Sequence, residues 1–154
     1  MEAEICATEW GFWVKSDFTT LAGVVRGDFR PNGPNFVTSP NSNLQVAVMN
    51  RPKGYRIQSH EHLLVSRTIA STQEVLIIQS GTLRADLFFP GKDYLGSLIA
   101  NQGDILILTS GGHGFEASED CVFIEVKQGP YSPEKDKEVF PNTVGIDTPI
   151  RLIQ

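Results

Sequence analysis

Eight short runs, most of them apolar and set between turn residues, constrain this chain more than any other feature. These are residues 21–25, 44–49, 55–62, 75–78, 83–89, 94–99, 105–108 and 121–126; all but the more polar 55–62 are rich in Val, Ile, Leu and Phe, with Gly, Pro, Asn or Asp among the residues that separate them. Branched and aromatic side chains suit a pleated, half-buried surface, so these runs read as strands. The 14 glycines and 9 prolines supply the breaks, among them Pro31-Asn32-Gly33-Pro34, Pro90-Gly91-Lys92-Asp93 and Asn101-Gln102-Gly103-Asp104. No segment sustains an apolar period of 3.6 residues, and the charged stretch 132–137 predicts one helical turn at most. Short strands without intervening helices predict an all-β sandwich or barrel rather than a parallel α/β sheet.

The runs differ in how many faces they bury. Val75-Leu76-Ile77-Ile78 and Ile105-Leu106-Ile107-Leu108 are apolar throughout, which predicts cover on both sides. Leu83, Ala85 and Leu87 alternate with Arg84 and Asp86, as in a strand with one wet face. In 121–127 the Val122, Ile124 and Val126 face is the expected interior, which leaves Glu125 and Lys127 outside or between subunits. The opposite facing would turn Lys127 into a substrate anchor. The first fifty residues are less regular: Trp10, Phe12 and Trp13 cluster, and 31–43 reads as a long polar loop.

At 154 residues the chain suits one domain with a real core, and no repeat or internal boundary divides it. A single domain over 1–154 is expected, with its core at about 44–127. A net charge of −5 offers no basic surface to nucleic acid or an anionic membrane. No apolar stretch approaches the ~20 residues of a membrane-spanning helix, and the acidic opening Met1-Glu2-Ala3-Glu4 does not resemble a signal peptide. Cys6 and Cys121 are far apart and form no C-x-x-C motif, so reduced thiols in a cytoplasmic protein are expected.

The chemistry concentrates in three histidines. His60 and His62 flank Glu61, and His113 sits in Ser110-Gly111-Gly112-His113-Gly114. In a strand, residues i and i+2 share a face roughly 6.6 Å apart, within reach of one ion bound at about 2.0–2.1 Å. Arg56 and Gln58 share that parity and are candidates for contact with substrate. Glu74 opens the apolar run that ends before Gly81. Three imidazoles and a carboxylate suit Zn, Fe, Mn, Ni or Cu without selecting among them. Other readings fail on spacing: position 64 is Leu, not the second His of H-E-x-x-H, and Ser110 lacks a G-x-S-x-G elbow.

These residues resemble the motifs of the cupin family. Its first motif, G-x5-H-x-H-x3-4-E-x6-G, is similar to Gly54, His60, His62, Glu74 and Gly81 here, with the Gly54–His60 and Glu74–Gly81 spacings intact. Its second, G-x5-P-x-G-x2-H-x3-N, is similar to Gly103, Thr109, Gly111 and His113. Three departures stand out. Eleven residues separate His62 from Glu74, Thr109 replaces the proline, and His113 falls one residue early, with Ala117 near the place of the asparagine. The wider stretch from Thr72 to Tyr131 is also similar to a group of small single-domain cupins. Some members of that group resemble proteins linked to polysaccharide or nucleotide-sugar metabolism.

The resemblance implies a single-domain cupin-type β-barrel, a double-stranded β-helix or jelly roll with little helix. It implies one divalent metal (Zn, Fe, Mn or Ni) on His60, His62, Glu74 and His113. Arg56, Gln58 and Lys127 are the candidate substrate contacts. The expected ligand is a small polar molecule such as a carbohydrate derivative or an oxoacid. Three uses of the metal stay open: a dioxygenase or sugar isomerase or epimerase, a non-catalytic binding or sensing module, and a barrel whose metal is structural. Homodimers are common among such barrels, and Trp10 and Trp13 are the candidate contacts by that analogy.

Overall fold

A computed structural model describes residues 3–17, 19–132, 134–141 and 144. The chain divides into two compact units, one of residues 1–29 with 72–154 and the other of residues 30–71. Among the described residues there is no helix, and the fold is all-β, in several antiparallel sheets of which none closes into a barrel. No described helix is long and apolar enough to cross a membrane.

The larger unit holds β1 (Ala3–Thr8), β2 (Gly11–Ser16), β3 (Thr19–Val25), β6 (Glu74–Ser80), β7 (Thr82–Phe88), β8 (Tyr94–Asn101), β9 (Ile105–Leu108), β10 (Gly112–Ala117) and β11 (Val122–Lys127). Six of these form one sheet in the order β1-β2-β3-β9-β6-β11, and three form a second in the order β10-β7-β8. The core takes Phe12, Val14, Ala22, Val24, Leu76, Ile78, Leu106 and Leu108 from the first sheet and Leu83, Ala85, Leu87, Leu98 and Ala100 from the second. The sheets therefore pack on one another through these faces. The smaller unit carries β4 (Pro34–Phe36) and β5 (Ala47–Met49), paired as a two-stranded ribbon.

Seven of the eight runs contain a strand. The exception is 55–62, expected as the strand that aligns His60 with His62, where the backbone is irregular. Of the five strands in the first fifty residues, β1, β2 and β4 lay in stretches too mixed in polarity to announce themselves. At 132–137, where one helical turn at most was expected, no helix is described: the Ser132 carbonyl accepts from the amides of Lys135 and Asp136, at 3.1 and 3.0 Å, in a hydrogen-bonded turn.

Three expectations about faces are corrected. First, β7 has no wet face: Arg84 and Asp86 are as buried as its leucines. Arg84 Nε donates to Asp86 Oδ1 at 2.8 Å, and an Arg84 terminal nitrogen donates to Ser97 Oγ at 3.1 Å. Ser97 Oγ also bonds Asp86 and lies 2.6 Å from the Tyr94 hydroxyl. Charges survive burial when paired and hydrogen-bonded, and this cluster meets that condition. Beside it, Phe88 packs edge-on against Tyr94 and Phe140, with ring centroids 5.7 and 5.1 Å away.

Second, the branched face of β11 looks outward. Val122, Ile124 and Val126 are 55%, 45% and 47% exposed. The neighbouring strand decides this, because Phe123 and Glu125 pair with the core residues Ile78 and Leu76. Third, β6 is covered on one face only at Ile77, which is exposed, whereas Val75 is buried. In β9, Leu106, Ile107 and Leu108 are buried as expected.

One carboxylate locks the turns at an end of the larger unit. Asp104 accepts from Arg26 at 2.9 Å and from the amides of Gly27 and Asn101 at 2.9 and 3.0 Å. Gly27 and Gly103 pass so closely there that a Cβ on Gly27 would stand 2.6 Å from the Gly103 carbonyl carbon.

Candidate functional site

The end of the sandwich where β6 begins and β11 finishes carries the polar cluster. Glu74 pairs with Leu108 on one side and Lys127 on the other. Across the gap, His113 pairs with Leu87 of β7. Leu108 and Leu87 are core residues, and directly paired residues share a face. Glu74 and His113 therefore project inward from opposing sheets. They meet there, His113 Nε2 lying 3.1 Å from Glu74 Oε2, with side chains 30% and 15% exposed.

Lys127 completes the polar end. Its Nζ lies 3.7 Å from Glu74 Oε1 and 2.6 Å from Glu125 Oε1, and 5.2 Å from the centre of the Tyr131 ring. Aromatic surface adjoins it: Phe115 stands 5.2 Å from the His113 ring and 6.5 Å from Phe123. Behind the site, the Gln73 amide donates to Gln128 Oε1 at 2.6 Å and ties together the chain beside Glu74 and Lys127.

These contacts set the electrostatics. The hydrogen bond from His113 holds the Glu74 carboxyl below the usual carboxylate range; partial burial opposes this and Lys127 adds to it. Glu125 holds the Lys127 ammonium above its ordinary value, with Glu74 a lesser contributor.

Glycines around His113 reflect packing. Gly111 adopts φ +79°, and a Cβ there would meet the Phe88 carbonyl at 2.4 Å. A Cβ on Gly112 would stand 3.0 Å from the Phe140 ring. The Gly-rich stretch is thus a tight entry into β10 and not a loop, and strand parity aims His113 inward despite its early position.

His60 and His62 belong to the smaller unit, where both are exposed. Their rings touch edge-to-face with centroids 5.3 Å apart, so they are neighbours without the strand expected to align them. His60 Nδ1 lies 2.9 Å from the Gln58 carbonyl oxygen. A carbonyl only accepts, so Nδ1 is the donor in this contact. Arg56 and Gln58 are exposed in the same irregular segment. Gln58 meets His60 through its backbone carbonyl.

Of the residues expected to act together, Glu74, His113 and Lys127 are brought into one cluster within the larger unit. Among the described residues, no three of His, Cys, Asp and Glu converge as a group that could hold a metal ion. Glu125, Phe115 and Tyr131 join the cluster without having been singled out as site residues. Parity with Lys127 and His113 was the available signal for Glu125 and Phe115, once the facing of β10 and β11 was known. Compared with known proteins, the chain matches no family model, no curated protein and no solved structure.

Proposed function

We propose that this is a cupin-like protein that binds one divalent metal ion and, with it, acts on or binds a small polar molecule. The spacing of Glu74 and His113 carries the reading. Two donors about 2.0–2.2 Å from one ion, at angles of 90–109°, stand roughly 3.0–3.5 Å apart. The Nε2–Oε2 separation of 3.1 Å falls in that range. The motif resemblance, taken by itself, also implies His60 and His62 as ligands; they lie in the smaller unit. The Gln58 carbonyl supports this by accepting from His60 Nδ1, as partners behind metal ligands commonly do. Between β6 and β11 the chain passes through the two facing sheets in the order first, second, second, first, second, first. That winding supports a jelly roll, the cupin architecture.

Bound there, a metal ion would act as a Lewis acid or as a site for O2. The chain's own residues would orient the ligand, with His113 and Glu74 inside and Lys127 at the rim. Dioxygenase, isomerase and sensing roles all follow from such a site. Elemental analysis of untagged protein, offered Zn, Fe, Mn and Ni in turn, tests the proposal. One ion per chain is expected, reduced in His60→Ala and in His113→Ala. Wild type that takes up none of the four metals sinks the reading.

A second reading rests on the Lys127 contact. Glu74 already has a cation within 3.7 Å, so the Glu74–His113 pair can work without metal as an oriented acid–base dyad. Metal-free protein that turns over or binds a ligand in a His113-dependent way favours it.

A further inference from the structure

We propose that the ligand is a carboxylate with an apolar body, that Lys127 anchors it, and that Glu125 occupies its place in the free protein. The inference rests on the proposed function only in taking the Glu74–His113 end of the sandwich as the binding site.

Charge at the rim is arranged for exchange. Lys127 faces two carboxylates, and the shorter contact is to Glu125, at 2.6 Å against 3.7 Å for Glu74. Glu74 is committed to His113 from the opposite sheet. Glu125 has the more exposed side chain, at 37% against 15% for Glu74, and pairs with Lys127 on its own strand. An exposed ion pair of this kind contributes little, so releasing Glu125 to water costs little. A ligand carboxylate can then take the same ammonium by the same charge-assisted bond. The exchange leaves the local charge unchanged, whereas adding an anion beside both Glu74 and Glu125 would not.

The surroundings select the rest of the ligand. Tyr131 lies against the Lys127 ammonium, Phe115 stands beside His113, and Phe123 continues from Phe115 on the inward face of β11. Phe123 is 37% exposed, so apolar surface is open on the same face of β11 as the cationic anchor, two strand positions beyond Glu125. A carboxylate attached to a small ring or branched chain would cover it and gain from its removal from water. A phosphomonoester dianion would instead bring a second negative charge towards Glu74.

Benzoate, benzamide and phenyl phosphate are suitable probes, titrated by NMR into metal-loaded and metal-stripped protein. Benzoate should bind saturably and shift the resonances of Lys127, Phe115 and Phe123. Benzamide should bind at least about tenfold more weakly, the scale of one hydrogen bond to a charged group. Lys127→Met should show the same loss, and Lys127→Arg, which keeps the charge, should retain binding and so exclude misfolding as the cause. Glu125→Gln should bind benzoate more tightly than wild type, because the internal competitor is weakened. Equal binding of benzoate and benzamide, tighter binding of phenyl phosphate, or unchanged affinity in Glu125→Gln would each overturn the inference. Lys127-dependent benzoate binding in protein that takes up no metal would remove the metal and leave the anchor standing.

Discussion

Two clusters in the larger unit use the same kinds of residue to opposite ends. On the outer face of β7 and β8, Arg84, Asp86, Ser97 and Tyr94 form a closed set in which Arg84, Asp86 and Ser97 are at most 4% exposed. On the inner face, Glu74, His113, Lys127 and Glu125 form an open set whose side chains are 15–37% exposed. The closed set has its carboxylate bonded by both a guanidinium and a hydroxyl. In the open set one lysine stands between two carboxylates. A closed polar network specifies a fold, while an open one with a divided partner is ready to take a ligand.

Removing a carboxylate should separate the two most sharply. Asp86→Ala takes the carboxylate from a buried guanidinium and is expected to cost about 3–5 kcal/mol, the range for breaking a buried pair. Urea unfolding measures it, and a loss below about 1 kcal/mol would show that burial of Arg84 does not depend on Asp86. Glu74→Gln should be milder in metal-free protein, about 1 kcal/mol or less, while lowering metal uptake. Its pH dependence follows from the sign of the shift. The folded carboxyl is held below its ordinary 4.5, so its contribution is present above that value and is lost as pH falls through the folded value. Unfolding curves of wild type and Glu74→Gln should therefore converge in acid. Lys127→Met should have the smallest effect, with an unfolding midpoint indistinguishable from wild type at neutral pH. A clear fall would make Lys127 a structural residue and weaken its role as an anchor.

The open cluster was half legible. Glu74 and His113 could be named from scarcity and motif-like spacing, but the direction of Lys127 could not. Val122, Ile124 and Val126 make the more apolar face of β11, yet they look outward because Leu76 and Ile78 of β6 fix the register. The closed cluster was misread for a related reason. Alternation in β7 signals a wet face only if nothing covers it and the charges lack partners, and Ser97 lies 11 residues from Asp86. Residues 55–62 show the reverse error: a mostly polar stretch expected to be a strand has no ladder in the described structure.

Local chemistry was sufficient for the all-β class and for the placing of seven strands. Short branched runs favour extended backbone, and Gly, Pro, Asn and Asp interrupt it wherever they stand in a chain. The same is true of the Gly111 entry to β10, in that only glycine meets its positive φ without strain. Facing and partnership were decided by tertiary structure. A strand has two faces and no preference between them until a neighbour fixes its register. Glu74 and His113, 39 positions apart, became a pair 3.1 Å wide only when two sheets closed on a shared core.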